Sequence, residues 1–189
     1  NIASVTNALD RFSVKYIVTR DPQTILSADK VIFPGQGRAG SAMADLRAKG
    51  LDTVIKQIKT PFLGICLGMQ LLLPFSEEDS TECLGIIPGK VRRFPGGVKI
   101  PQIGWNTVTQ TKKDFLFNGV PETAYAYFVN SYFVDTEEKY TIGASQYGPT
   151  RYASIIKKDN FYGTQFHPEK SASIGLQILK NFCQPIIIP

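Results

Sequence analysis

Phe62-Leu63-Gly64-Ile65-Cys66-Leu67-Gly68-Met69-Gln70 is the stretch on which the fold turns. Residues 62–65 form a short apolar run with strand character, and it leads straight into Cys66. A brief helix is predicted after it, ending before Pro74. Glycines two positions before and two after the cysteine suit a strained strand-to-helix turn, which leaves no room for their Cβ atoms. A thiol presented at such a turn lies at a helix N-terminus, where partial positive charge favours the thiolate. A buried cysteine between packing glycines would carry the same pentapeptide, since free cysteine is among the most buried residue types. Cys83 and Cys183 have no comparable setting and read as packing residues.

Upstream of the elbow, Ile2, Val5, Leu9 and Phe12 share one helical face. Residues 14–18 read as a strand, and residues 31–33 as another, halted by Pro34-Gly35. Met43, Leu46, Val54, Ile55 and Ile58 mark a helix, broken near Gly50. Downstream, residues 84–166 become short strands with Gly, Pro and Asn turns, among them 125–134, Thr141–Tyr147 and 152–157. Ile174, Ile178 and Leu179 place a final helix. Alternating strand and helix in the first third predicts a parallel sheet covered on both faces, with antiparallel pieces added later. The 189 residues suit a single domain over 1–189, with no internal repeat, low-complexity segment or linker. An α/β unit should open on a strand, and no initiator Met is present, so a first strand is expected to be absent from the sequence as given.

Composition removes several function classes. The net charge of +5 could serve an anionic partner, but Arg92-Arg93, Lys112-Lys113 and Lys157-Lys158 are the only basic doublets. No basic stripe is interleaved with aromatics, so no nucleic-acid partner is expected. No apolar run approaches the ~18 residues of a membrane span, and no secretory signal opens the sequence as given. Three widely spaced cysteines make no disulfide framework and suit a reducing, cytoplasmic setting. No CxxC pair exists and His167 is the single histidine, so no metal centre and no cofactor is expected.

His167 lies 101 residues beyond Cys66, in Phe166-His167-Pro168-Glu169-Lys170. An imidazole can take a thiol proton and return it to a leaving amine, while Glu169 holds its tautomer. His-Pro-Glu before a helix starting near Ser171 would also make a well-capped turn. With a cysteine elbow and no competing imidazole, the catalytic reading is the better one. Pro34-Gly35-Gln36-Gly37 follows an apolar strand, and its small residues let N–H groups turn toward an oxyanion together with that of Leu67. No GK[ST] follows, and GxGxxG is not matched, so neither nucleotide-binding loop is present.

GICLGMQ (64–70) with QFHPEKS (165–171) resembles the class I, triad-type glutamine amidotransferases. IPQIGWN (100–106), YFVNSY (127–132), LGIIPGKVRRF (84–94) and NFYGTQFHPEKS (160–171) narrow the resemblance across essentially the whole chain. They are similar to the glutaminase subunits of imidazole glycerol phosphate synthase. The resemblance implies a flavodoxin-like three-layer α/β/α fold that hydrolyses L-glutamine. It also implies a heterodimer with a (β/α)8 cyclase, which uses the ammonia to make imidazole glycerol phosphate and aminoimidazole carboxamide ribotide in histidine biosynthesis. By motif position, Cys66 attacks the carboxamide, His167 moves the protons and Glu169 orients His167. Gly35 and Leu67 supply oxyanion donors, and Gln70, Ser131 and Tyr132 hold the amino-acid end of the substrate. Trp105, Asn106, Tyr127 and Lys170 fall where the family meets the cyclase.

Family members usually begin with a short strand and a YGxGN-like turn, of which only Asn1 remains. Two further positions depart from the pattern: Gln36 stands in place of Val and Asn130 in place of His. Gln36, longer and more polar than Val, is expected either to hold the oxyanion loop in its inactive orientation through hydrogen bonds of its own, the favoured reading, or to loosen it. Three other functions remain open. They are the same chemistry serving another synthase, such as one for sugar amidination, a non-catalytic regulatory subunit of the same fold, and a cysteine peptidase. Gln70 and Ser131-Tyr132 count against the peptidase.

Overall fold

The computed structural model describes residues 2–184. Helix α1 (Ile2–Asp10) is followed by α2 (Pro22–Ser27), whose start is set by Asp21 accepting from the Thr24 N–H at 2.8 Å, with Pro22 just inside. Strand β1 (Val31–Gly35) leads into α3 (Ala39–Ala48) and α4 (Leu51–Gln57), which part at Gly50 with φ 65°, as expected. Strand β2 (Phe62–Cys66) then runs directly into the single turn α5 (Leu67–Gln70). Two short strands, β3 (Phe75–Ser76) and β4 (Thr81–Glu82), precede β5 (Lys90–Arg93). The hairpin β6 (Gln102–Gln110) and β7 (Thr123–Asn130) comes next, then β8 (Tyr132–Asp135) and β9 (Thr141–Tyr147). Strands β10 (Thr150–Lys158) and β11 (Phe161–Thr164) and helix α6 (Ala172–Cys183) close the described chain.

The sheet runs β1-β2-β11-β10-β8-β5-β3-β4, and the β6–β7 hairpin joins it through β9. Strands β1, β2 and β11 are parallel, while β10 runs antiparallel to β11, β8 to β10 and β5 to β8. The central strand explains the layering. Phe62 packs with Met43, Leu46, Val54, Ile55 and Met69 on one face. Leu63 and Ile65 pack with Val5, Leu9, Phe128, Ile178 and Phe182 on the other. A strand apolar on both faces needs cover on both, and the three-layer α/β/α arrangement supplies it. Among the described residues no helix is long and apolar enough to cross a membrane.

Several expected boundaries move. Residues 14–18 form no strand: Ile17 and Val18 are 76% and 60% exposed, and among the described residues no strand pairs with them. An extended apolar segment becomes a strand only when a neighbour takes its N–H and C=O groups. Strand β1 is not halted at Pro34-Gly35 but runs through both, pairing Pro34 with Ile65 and Gly35 with Cys66. Pro34 thus lies inside the ladder with β2, not beyond its end. The run 125–134 breaks at Ser131, because β7 pairs with β6 while β8 pairs with β5 and β10.

The elbow is closed by contact. A Cβ on Gly64 would lie 2.5 Å from the Gly68 carbonyl oxygen, one on Gly68 2.1 Å from that of Phe33, and one on Gly35 2.7 Å from the Gly68 nitrogen. Gly68→Ala is therefore expected to cost about 3 kcal/mol in urea unfolding, at the upper end of overpacking effects. Gly96→Ala, with open space around its Cβ, should be neutral or stabilise by ~0.4–1 kcal/mol. Equal stability of the two variants would show that β1 and α5 do not close on each other.

Candidate active site

Cys66 sits at the elbow with φ 55° and ψ −108°, a backbone conformation that aims its side chain out of the sheet's carboxyl end. Because α5 has only four residues, the side chains around the sulfur matter alongside the helix dipole. The long sequence gap to His167 is closed by strand pairing. Strand β11 lies parallel to β2 with Gly163 opposite Gly64 and Thr164 opposite Ile65, so the chain leaving β11 passes the elbow. The backbone N–H of His167 donates to the Tyr127 carbonyl at 3.0 Å, and Ser171 Oγ donates to the His167 carbonyl at 2.7 Å. Both contacts hold the residue from its main chain.

The imidazole Nδ1 lies 3.0 Å from Glu169 Oε1, and both side chains are buried, 5% and 0% exposed. Burial disfavours the charged ring, but hydrogen bonds to Cys66 and then Glu169, with their negative charge, outweigh it and hold the imidazolium up to about 9. With Nδ1 committed to Glu169, Nε2 is the nitrogen left for the sulfur. The arrangement can hold a thiolate beside an imidazolium. The other cysteines are poorly suited to that role, because burial pushes the Cys83 thiol up to about 11 and raises Cys183 as well.

A cavity of about 380 Å³ opens at the sulfur, within the range of small-ligand sites. Gly35, Cys66, Leu67, Gln70, Ser131, Tyr132, His167 and Lys170 all line it, and Glu169 stands behind His167. Trp105, Asn106 and Tyr127 lie apart from it on the β6–β7 hairpin. Trp105 is 54% exposed and meets Tyr127 edge-on, with ring centroids 6.0 Å apart. Ile103, Tyr125 and Val129 are exposed on the same hairpin, and Val129 reaches the cavity. Asn106 is committed within the chain, donating from Nδ2 to the Gln146 carbonyl and accepting the Thr107 N–H on Oδ1.

Three residues with no assigned role also face the sulfur or the cavity. Val129 contributes a carbonyl 3.8 Å from Cys66 Sγ, Gln165 contributes an amide at the same distance, and Glu78 places a carboxylate in the lining. Gln165 was legible in one respect: it stands two positions before His167 in the same motif. Glu78 carried no signal, being one of several acidic residues in a loop. Gln36 lines the cavity, and among the described residues none hydrogen-bonds its side chain. The loop is held instead by the Arg38–Asp79 ion pair and by the Ala39 N–H donating to Glu78 Oε2 at 2.8 Å. Asn130 is buried and donates to the Tyr132 carbonyl at 2.9 Å, while its Oδ1 has no hydrogen-bond partner among the described residues.

Comparison with known proteins identifies the family. The family described as "Glutamine amidotransferase class-I" matches residues 2–185. The chain is 46% identical over 187 residues to "Imidazole glycerol phosphate synthase subunit HisH" of Bacteroides fragilis (strain YCH46), covering 97% of this chain and 94% of that one. It is 43% identical to the protein of the same name from Haemophilus influenzae, covering 98% and 93%. Among solved structures, one described as a glutamine amidotransferase superposes with a TM-score of 0.74 at 15% identity, covering 96% and 92%. Another glutamine amidotransferase, from Thermotoga maritima, gives 0.66 at 19% identity, covering 94% and 73%. At those identities the two structures show the shared fold alone.

The raised histidine makes a pH prediction. A group held above its reference value of 6.5 contributes stability in full below that value and loses it as the pH rises through about 9. As the only histidine, His167 gives one imidazole signal by NMR, expected to titrate near 9. In Cys66→Ala the midpoint should fall, because burial then meets less opposition. A midpoint indifferent to Cys66 would show that the two residues do not interact.

Proposed function

Because this chain belongs to the class I glutamine amidotransferases, and within them to the HisH family of imidazole glycerol phosphate synthase subunits, we propose that it is the glutaminase half of such a synthase. Residues 1–189 make up one amidotransferase domain in this reading. Its substrate is L-glutamine, and its partner is a (β/α)8 cyclase that consumes the ammonia. The observation that carries the proposal is the cysteine elbow at φ 55° facing an imidazole whose far nitrogen is fixed by Glu169 at 3.0 Å.

The chemistry follows from that arrangement. The Cys66 thiolate attacks the carboxamide carbon of glutamine, forming the C–S bond and pushing electrons onto oxygen. N–H groups of the Gly35 loop and of Leu67 stabilise that oxyanion. His167, as imidazolium, protonates the nitrogen as the C–N bond breaks and ammonia leaves. The neutral ring then takes a proton from water, which attacks the glutamyl thioester and returns Cys66 and glutamate. Glu169 holds the tautomer throughout. Gln70 donates both hydrogens of its Nε2 within the chain, to the Tyr132 carbonyl and to Gln165 Oε1. Its Oε1 is thus what it offers the substrate, and with the Glu78 carboxylate it suits the α-ammonium group. The Ser131-Tyr132 backbone borders the same end. The apolar hairpin face around Trp105 and Tyr127, with Lys170 at the cavity, is the surface for the cyclase.

Cys66→Ala should abolish glutamine hydrolysis, while the complex with a cognate cyclase still makes product from added ammonia. Glutamine turnover by purified Cys66→Ala would overturn the mechanism. Loss of one oxyanion donor costs on the order of 10²–10³ in rate, so a loop that presents its N–H only when the partner is docked gates the reaction. The chain alone should therefore hydrolyse glutamine at least about a hundredfold more slowly than with cyclase and its nucleotide ligand. Full activity without the partner would remove the gate and leave the nucleophile assigned.

A further inference from the structure

We propose that the side chain of Gln165 is the hydrogen-bond donor that holds the Cys66 sulfur as an anion, and that Gln70 is the positioning residue that keeps it so oriented. The inference rests on the glutaminase reading and assigns a role to a residue outside the triad. Gln165 is fully buried, with 0% exposure, and its backbone N–H donates to the Ser154 carbonyl at 2.8 Å. Its Nε2 donates to Sγ at 3.8 Å, a long contact suited to a large, diffuse sulfur acceptor.

The direction of that contact is fixed by a chain of amides. The Tyr132 carbonyl can only accept, and it takes one hydrogen of Gln70 Nε2 at 3.1 Å. The other hydrogen goes to Gln165 Oε1 at 3.0 Å. Turning the Gln70 amide over would set its oxygen against two acceptors. Turning the Gln165 amide over would set its NH₂ against that of Gln70 and its oxygen against the sulfur. Each wrong orientation leaves buried groups unpaired, so the network admits one polarity. It ends with an N–H aimed at Sγ.

The sulfur needs that donor because its other polar neighbour works the opposite way. The Val129 carbonyl, also at 3.8 Å, can accept from a thiol and repels an anion. Gln165 opposes Val129, and His167 supplies the compensating positive charge. The titratable groups around Sγ are thus His167 with Glu169 behind it, while Glu78 and Lys170 line the same cavity.

Alkylation of Cys66 by iodoacetamide reads the thiolate without requiring glutamine, so it decides the role of Gln165 whether or not the wild-type complex turns glutamine over. The readout is mass spectrometry of the Cys66 peptide from the full chain across about pH 5 to 10. Gln165→Leu, of similar size, should slow alkylation at pH 7 about tenfold. Gln165→Glu, which brings a negative charge to the sulfur, should slow it about a hundredfold. Gln70→Leu should give an intermediate slowing, by releasing Gln165 from its orientation. In the complex with cyclase, Gln165→Leu should lower kcat about tenfold and leave KM for glutamine within about twofold. The side-chain ¹⁵N amide signal of Gln165 should shift when Cys66 is replaced in Cys66→Ala, because its acceptor is then gone. A Gln165→Leu chain, folded by circular dichroism, with a wild-type alkylation profile would overturn the proposal. So would a Gln165 amide signal indifferent to Cys66→Ala.

Discussion

Helix α5 approaches strand β1 so closely that a methyl group on Gly68 would sit 2.1 Å from the Phe33 carbonyl oxygen. That approach is possible only because Gly35, Gly64 and Gly68 all lack side chains, and it forces the residue between the last two to turn with a positive φ. The cost of a left-handed cysteine, of the order of 1–3 kcal/mol, is carried by the packing of β2 against helices on both faces. Strain at this point keeps the sulfur clear of the sheet and leaves it one direction to face.

What it faces is determined by a second constraint. The parallel register of β2 and β11 brings the end of β11 beside the elbow. The segment that follows is tied through main-chain groups to Tyr127 and Ser171. Ser171 Oγ also accepts the Tyr127 N–H at 2.9 Å, so strand β7, the histidine and the start of α6 form one hydrogen-bonded unit. The hairpin face that carries Trp105 is therefore one strand from the backbone that places the base.

The elbow was the most legible part of the sequence, because its glycine spacing reports a steric requirement that side chains alone can reveal. The helix break at Gly50 and strand β9 were legible for similar local reasons. Residues 14–18 misled because alternation of apolar residues measures strand character and says nothing about whether a ladder partner is present. Pro34 was taken as a stop because it has no N–H to give a ladder, but strand β1 runs through it in register with Ile65. At the site, the cysteine and histidine stood out by scarcity and context. Glu78 and the carbonyl of Val129 did not, because their roles arise from where a loop and a strand end in space. The two departures also differ in outcome: Asn130 is buried inside the network around the Tyr132 carbonyl, whereas Gln36 lines the cavity and no hydrogen bond holds its side chain among the described residues.

The amide chain around the nucleophile has a chemical consequence of its own. Gln165 carries the same carboxamide that the proposed reaction cleaves, and it lies against the same sulfur. Its survival is a matter of trajectory. A thiolate must approach the carbonyl carbon roughly along the line on which the C=O antibonding orbital is open, with the oxygen seated among donors. Here the sulfur meets the nitrogen end instead, and the oxygen is held by Gln70. A hydrogen-bond pattern that turns one carboxamide edge-on leaves the carbonyl-first approach to the free amino acid. The site thus distinguishes its substrate from its own scaffold by orientation, with no difference in functional group.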